Sequence, residues 1–165
     1  MAGTLSPTGA GGRPRLFFLN ATFLFQQAEW DYWTQPAVME QPGGEHIAEC
    51  VLPLADAGHL RLVREDEVAT EDLTFVPTPG HVSVGIYSAG ERAIILGDAS
   101  HYPAQLDHPE WSPVWDVDPR QAALTRDALF DAIAADGRTL IAGHWAYPGF
   151  GRLRRLRGRR VFQAR

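Results

Sequence analysis

The feature that most constrains this chain is one well-capped helix set between two apolar runs. Asp118 suits an N-cap and Pro119 the first helical turn. Leu129, Phe130 and Ile133 mark one apolar face, and Asp136-Gly137 closes the segment. Ala93-Ile94-Ile95-Leu96 stands before the helix and Thr139-Leu140-Ile141-Ala142 after it, both short and β-like. Strands alternating with such a helix predict an α/β fold. Residues 60–63, 73–76 and 82–87 add further strands. In the last of these Val82, Val84 and Ile86 alternate with Ser83, Gly85 and Tyr87, as in a half-buried strand. Ser88-Ala89-Gly90-Glu91 predicts a hairpin turn to the next strand. The runs between Leu60 and Leu96, with 139–142, predict one mixed sheet with helices on one face.

The flanks are less regular. Residues 1–14 are rich in Gly, Pro, Ser and Thr, predicting a flexible N-terminal segment ahead of a single domain over 15–165. Residues 21–25 read as a strand and 28–34 as a short helix ending before Pro36. Residues 45–55 read as a second helix despite Pro53, with Gly58 as its stop. Residues 98–117 have no clear period and hold His101, Tyr102, His108, Trp111 and Trp115. A long irregular segment in a compact domain is usually functional or mobile. The basic tail 152–165 contains Val161-Phe162, which suggests a last edge strand.

Composition removes several classes. The net charge of −5 gives no reason to expect nucleic acid binding. The single cysteine, Cys50, excludes an internal disulfide framework and a cysteine-based zinc knuckle. No apolar run reaches membrane-span length, and the N-terminus lacks a charged segment followed by an apolar stretch, so the expected location is the cytoplasm. All 15 basic residues are arginine, scattered except near the C-terminus, which reads as coding bias rather than anion recognition.

Three segments place a potential metal ligand just beyond a β-like run: Thr78-Pro79-Gly80-His81, Gly97-Asp98 and Ala142-Gly143-His144. A hydrolytic metal site is built from imidazole and carboxylate converging from several strand ends. A lone histidine is more often a hydrogen-bonded structural residue, and a carboxylate after Gly is more often a turn or cap. Three such events together raise the metal reading above these. His81, Asp98 and His144 are therefore expected to converge.

The same segments carry a resemblance. Val76-Pro77-Thr78-Pro79-Gly80-His81-Val82-Ser83-Val84, Ile95-Leu96-Gly97-Asp98, Asp116-Val117-Asp118-Pro119 and Gly143-His144 with Tyr147-Pro148-Gly149-Phe150-Gly151 resemble the C-terminal part of metallo-β-lactamase-fold hydrolases, near lactonases and methyl parathion hydrolase. Asn20-Ala21-Thr22 with the 28–33 segment looks like the stretch after that family's first metal motif. The resemblance implies an αββα sandwich, present here mainly as its C-terminal sheet with flanking helices. It implies a binuclear zinc centre whose metal-bound hydroxide attacks lactone, ester or phosphotriester bonds of a small-molecule substrate. His81, Asp98 and His144 map to its later ligands, with Asp98 also the catalytic candidate; His101, Trp111 and Trp115 would line the substrate pocket.

Two departures follow. No His-x-His-x-Asp-His run exists in these 165 residues. The family's doubled Thr-Pro-Gly-His loop stands here in one copy, so His81 matches either the ligand or its supporting histidine. The remaining ligands are too few for two metals, which predicts substoichiometric zinc and weak or absent activity. The alternatives are a non-catalytic remnant or binding module, or one half of a split enzyme. An uncovered sheet face near Phe17, Phe18, Phe23 and Phe25 would favour self-association or a partner supplying the missing half.

Overall fold

A computed structural model describes residues 5–6, 15–64, 67–79 and 81–165. The chain divides into two compact units, residues 1–65 and 66–165.

In the first unit β1 (Leu5–Ser6) pairs antiparallel with β2 (Arg15–Leu16). The rest of the segment expected to be flexible, 1–4 and 7–14, lies outside the described residues. The strand β3 (Phe23–Gln26) pairs in parallel with β4 (Leu60–Val63). Parallel neighbours need a crossover. It is made of α1 (Gln27–Trp33), α2 (Pro36–Met39), a π turn over Ile47–Val51 and α3 (Leu52–Asp56). The expected 45–55 helix is present as one helical run over residues 45–56, with the π turn in its middle. Pro53 lies inside this run, directly after the π turn, whose wider winding accommodates the residue that cannot donate an N–H. Gly58, at φ +73°, ends the helical stretch as expected. Val51, Leu54 and Val63 are buried. One expectation is corrected: Leu60–Val63 joins β3 and not the sheet of residues 73–96. Its apolar, β-like texture matches either sheet, and partner choice is not encoded in that texture.

The second unit holds a seven-stranded sheet in the order β11-β10-β9-β8-β7-β6-β5. Its strands are β5 (Val68–Thr70), β6 (Leu73–Thr78), β7 (His81–Ser88), β8 (Glu91–Ile95), β9 (Thr139–Ile141), β10 (Phe150–Leu156) and β11 (Arg159–Ala164). The β8–β9 step is parallel and the other steps antiparallel, so the sheet is mixed as expected. Between β8 and β9 the chain passes through α4 (Pro119–Asp136). Asp118 caps it by accepting the Gln121 N–H at 3.0 Å, and Gly137 ends it at φ +67°. The β7–β8 hairpin turns through Ala89 and Gly90, both at positive φ, a primed turn that matches strand twist.

The core lies between α4 and the sheet. Ile94, Leu140 and Leu153 from three adjacent strands meet Phe130 and Ile133 of α4, all at 1% exposure or less. Each contributes about 1.5–3 kcal/mol by burial. Truncating Phe130 to alanine would cost about 3–5 kcal/mol. Strand β10 is hard to read from sequence because Phe150-Gly151-Arg152-Leu153-Arg154-Arg155-Leu156 is arginine-rich and buries only Gly151 and Leu153. Arg155 meets Asp131 of α4 at 2.6 Å, and Arg160 of β11 meets Asp127 at 2.5 Å.

Candidate metal centre

The site is built by two tight returns of the chain at the ends of β8 and β9. After β8, Leu96 leads into a single 3₁₀ turn, Gly97–Ala99. Gly97 is at φ +56°, and a Cβ there would stand 2.7 Å from the Val82 carbonyl oxygen. Only glycine fits, and the turn it permits presents Asp98. After β9, Ala142 donates its N–H to the Gly149 carbonyl at 2.7 Å, closing a short loop that carries His144. Gly149 is at φ +67°, and a Cβ on it would meet the Ala142 oxygen at 2.8 Å.

The buried Trp145 ties the two returns together by donating its Nε1–H to Ser100 Oγ at 3.1 Å. Residues 46 apart in sequence then meet: the His144 Nε2–H donates to Asp98 Oδ1 at 2.8 Å. The His101 ring stacks on His144 at 4.5 Å between centroids and meets Trp115 edge-on at 5.5 Å. Asp98, His101 and His144 each offer a ligand-type atom within 4.8 Å of the others, the one such grouping of at least three among the described residues. They line an open cleft of about 440 Å³ with Tyr102 and Trp115. Burial holds the His101 imidazolium disfavoured, pushing its pKa below 6.5, and the neighbouring His144 adds to that direction.

His81 lies near enough to His101 to disfavour its charged form, but it is not one of the three grouped donors. It opens β7 directly across from Thr78, inside a hairpin and not at a loop tip. Its Nε2 lies 3.1 Å from Asp116 Oδ1. Trp111 does not line the cleft; its ring stacks on His108 at 4.4 Å and 9°.

Sequence reading missed two organisers of the site. Arg126 of α4 is fully buried and donates to Asp116 Oδ2 at 3.2 Å, to the Ala99 carbonyl at 2.7 Å and to the Pro109 carbonyl. It clamps α4 onto the turn that carries Asp98. A signal existed: Arg126 falls on the buried stripe of Ala122, Phe130 and Ile133, where a charge demands partners. Gln105 is 1% exposed, and its Oε1 accepts from Ser100 Oγ, from the His101 N–H and from the Tyr102 N–H. No sequence pattern marks that role.

The model of the metallo-β-lactamase superfamily matches residues 51–144 of the chain. The chain belongs to the metallo-β-lactamase superfamily. No curated protein matches it. Among solved structures it is similar to the hydrolase AbOPH of that superfamily, at 26% identity and a TM-score of 0.75, over 87% of this chain and 54% of that one. It shares its fold with AidC, a dizinc quorum-quenching lactonase, at 17% identity and a TM-score of 0.72, over 92% and 57%. A probable metal-dependent hydrolase from Staphylococcus aureus follows at 18% identity and a TM-score of 0.69, over 83% and 49%. The chain thus spans about half the length of these relatives, as a partial metallo-β-lactamase fold.

For the metal that this superfamily implies, the donor chemistry at Asp98 and His144 fits. A carboxylate oxygen and an imidazole nitrogen already share one proton position, where a divalent ion can take the proton's place. Zinc accepts both ligand types. Among the described residues this grouping offers three donors, a number that suits a single ion.

Proposed function

We propose that this chain carries the Asp98–His144 side of a metal-dependent hydrolase site acting on lactone, ester or phosphotriester bonds of small molecules. The observation that supports this best is the 2.8 Å contact of Asp98 with His144 across 46 residues of sequence, in a cleft open to solvent. A zinc ion held by these two residues would polarise a carbonyl or phosphoryl oxygen and acidify a water. Tyr102 and Trp115 offer apolar walls for the non-reacting part of a substrate. Gln105 and Ser100 hold the loop beneath it in place through buried hydrogen bonds. His81 takes the supporting role: it orients Asp116, which in turn anchors Arg126 and the Asp98 turn.

The small donor count argues for low activity in these 165 residues taken alone. The test is hydrolysis of a panel of one lactone, one aryl ester and one phosphotriester, with zinc supplied. A weak rate that disappears in both Asp98→Asn and His144→Gln is expected. A rate unchanged by either substitution would remove the reading.

A further inference from the structure

We propose that His101 is the third protein ligand of a single metal ion held with Asp98 and His144. The inference rests on the hydrolase reading only in bringing a metal to those two residues. Within the trio His101 stands apart by burial. It is 7% exposed, whereas the Asp98 and His144 side chains are 62% and 50% exposed. Its Nδ1 is sealed from solvent and has no hydrogen-bond partner. A buried polar nitrogen without a partner costs about 1–3 kcal/mol. A ring present only for packing between Trp115 and His144 would carry that cost for nothing. Metal coordination gives the sealed side of the site a reason to be an imidazole.

The backbone that carries the ring is also held. The main-chain N–H of His101 donates to Gln105 Oε1 at 2.8 Å, and Ser100 Oγ donates to the same oxygen at 3.0 Å. Gln105 Nε2 donates in turn to the Trp111 carbonyl at 2.6 Å. Buried hydrogen bonds of this kind fix the loop from which the ring projects. The metal's other two ligands have room to adjust. Zinc bonds of about 2.0–2.1 Å in a tetrahedral site set donors roughly 3.3 Å apart. The present separations of up to 4.8 Å close by rotation of the two exposed side chains, with His144 turning off its stack on His101. Two imidazoles and one carboxylate suit zinc, cobalt or iron(II), leaving a further position for water or substrate. His81 is not one of the grouped donors, and its Nε2 lies against Asp116.

The experiment uses the full 165-residue chain, ¹⁵N-labelled and metal-free, titrated with zinc. Long-range ¹H–¹⁵N spectra follow each imidazole nitrogen. One equivalent of zinc is expected to shift one ring nitrogen of His101 and one of His144 and to leave His81 unmoved. His101→Gln, checked for folding by circular dichroism, is expected to weaken zinc binding at least about tenfold. A shift at His144 without one at His101 overturns this inference and leaves the hydrolase reading standing. A shift at His81 in place of His101 also overturns it. Absence of any zinc-dependent shift overturns both. The titration of wild-type protein decides the matter even if His101→Gln fails to fold.

Discussion

Replacing Arg126 by methionine tests the idea that a buried ion pair fixes the metal-site turn. Both side chains of the Arg126–Asp116 pair are 1% exposed. Removing the guanidinium leaves Asp116 buried against the His81 ring without its cationic partner, and strands the Ala99 and Pro109 carbonyls. Breaking a buried pair from one side costs about 3–5 kcal/mol. Domains hold only about 5–15 kcal/mol in all, so this variant should be close to the folding threshold. At about 2–4 °C per kcal/mol, the expected fall in Tm is about 6–20 °C. Asp116→Leu alone should be costly for the mirrored reason. The double variant Arg126→Met with Asp116→Leu should recover part of the loss, because no buried charge is then left alone. Thermal melts of the four proteins by circular dichroism give the coupling energy, expected at 2 kcal/mol or more as an order of magnitude. Single effects that simply add, within about 0.5 kcal/mol, would refute the claim that the two residues act as a unit.

Three further outcomes are expected. Gly97→Ala forces a side chain into positive φ and against the Val82 carbonyl, so it should cost about 1–3 kcal/mol and weaken zinc binding; an unchanged melt and unchanged affinity would contradict this. His101 has a pKa lowered chiefly by burial, so below pH 6.5 the unfolded chain takes up protons that the folded chain refuses. Stability of the metal-free protein should therefore fall as pH drops below 6.5, and His101→Phe should flatten that slope; identical slopes in urea melts would refute it. Phe17, Phe18 and Leu19 are consecutive and 57–70% exposed, so the chain is expected to self-associate, and Phe17→Ser with Phe18→Ser to reduce this. Sedimentation showing a compact monomer at all concentrations would contradict it.

Much of the second unit was legible from local chemistry. The cap at Asp118, the stop at Gly137 and the Ala89-Gly90 turn are short-range signals, and the structure carries all three. Asp98 and His144 were legible because Gly followed by a ligand-type residue marks a tight return at a strand end. What escaped was long-range. The pairing of Leu60–Val63 with Phe23–Gln26 depends on which sheet edge is free, and alternation in a single strand does not say. The seat of His81 opposite Asp116 depends on Arg126, 10 residues beyond that aspartate and on another element. The pairing of His81 with Thr78 likewise follows from β6 continuing to Thr78, which turns an expected loop into a hairpin. Gln105 works through three acceptor contacts in an irregular segment, where no period exists to reveal it.

Zinc stoichiometry tests the central claim most directly. The claim is that Asp98 and His144 form a place for one metal ion and not two. The chain as purified, and again after equilibrium dialysis against micromolar zinc, would be measured by elemental analysis beside Asp98→Asn. Less than one zinc per chain as purified is expected, rising to one after dialysis and staying near zero in the variant. Two tightly held zinc ions per chain, or one that survives Asp98→Asn, would contradict the account.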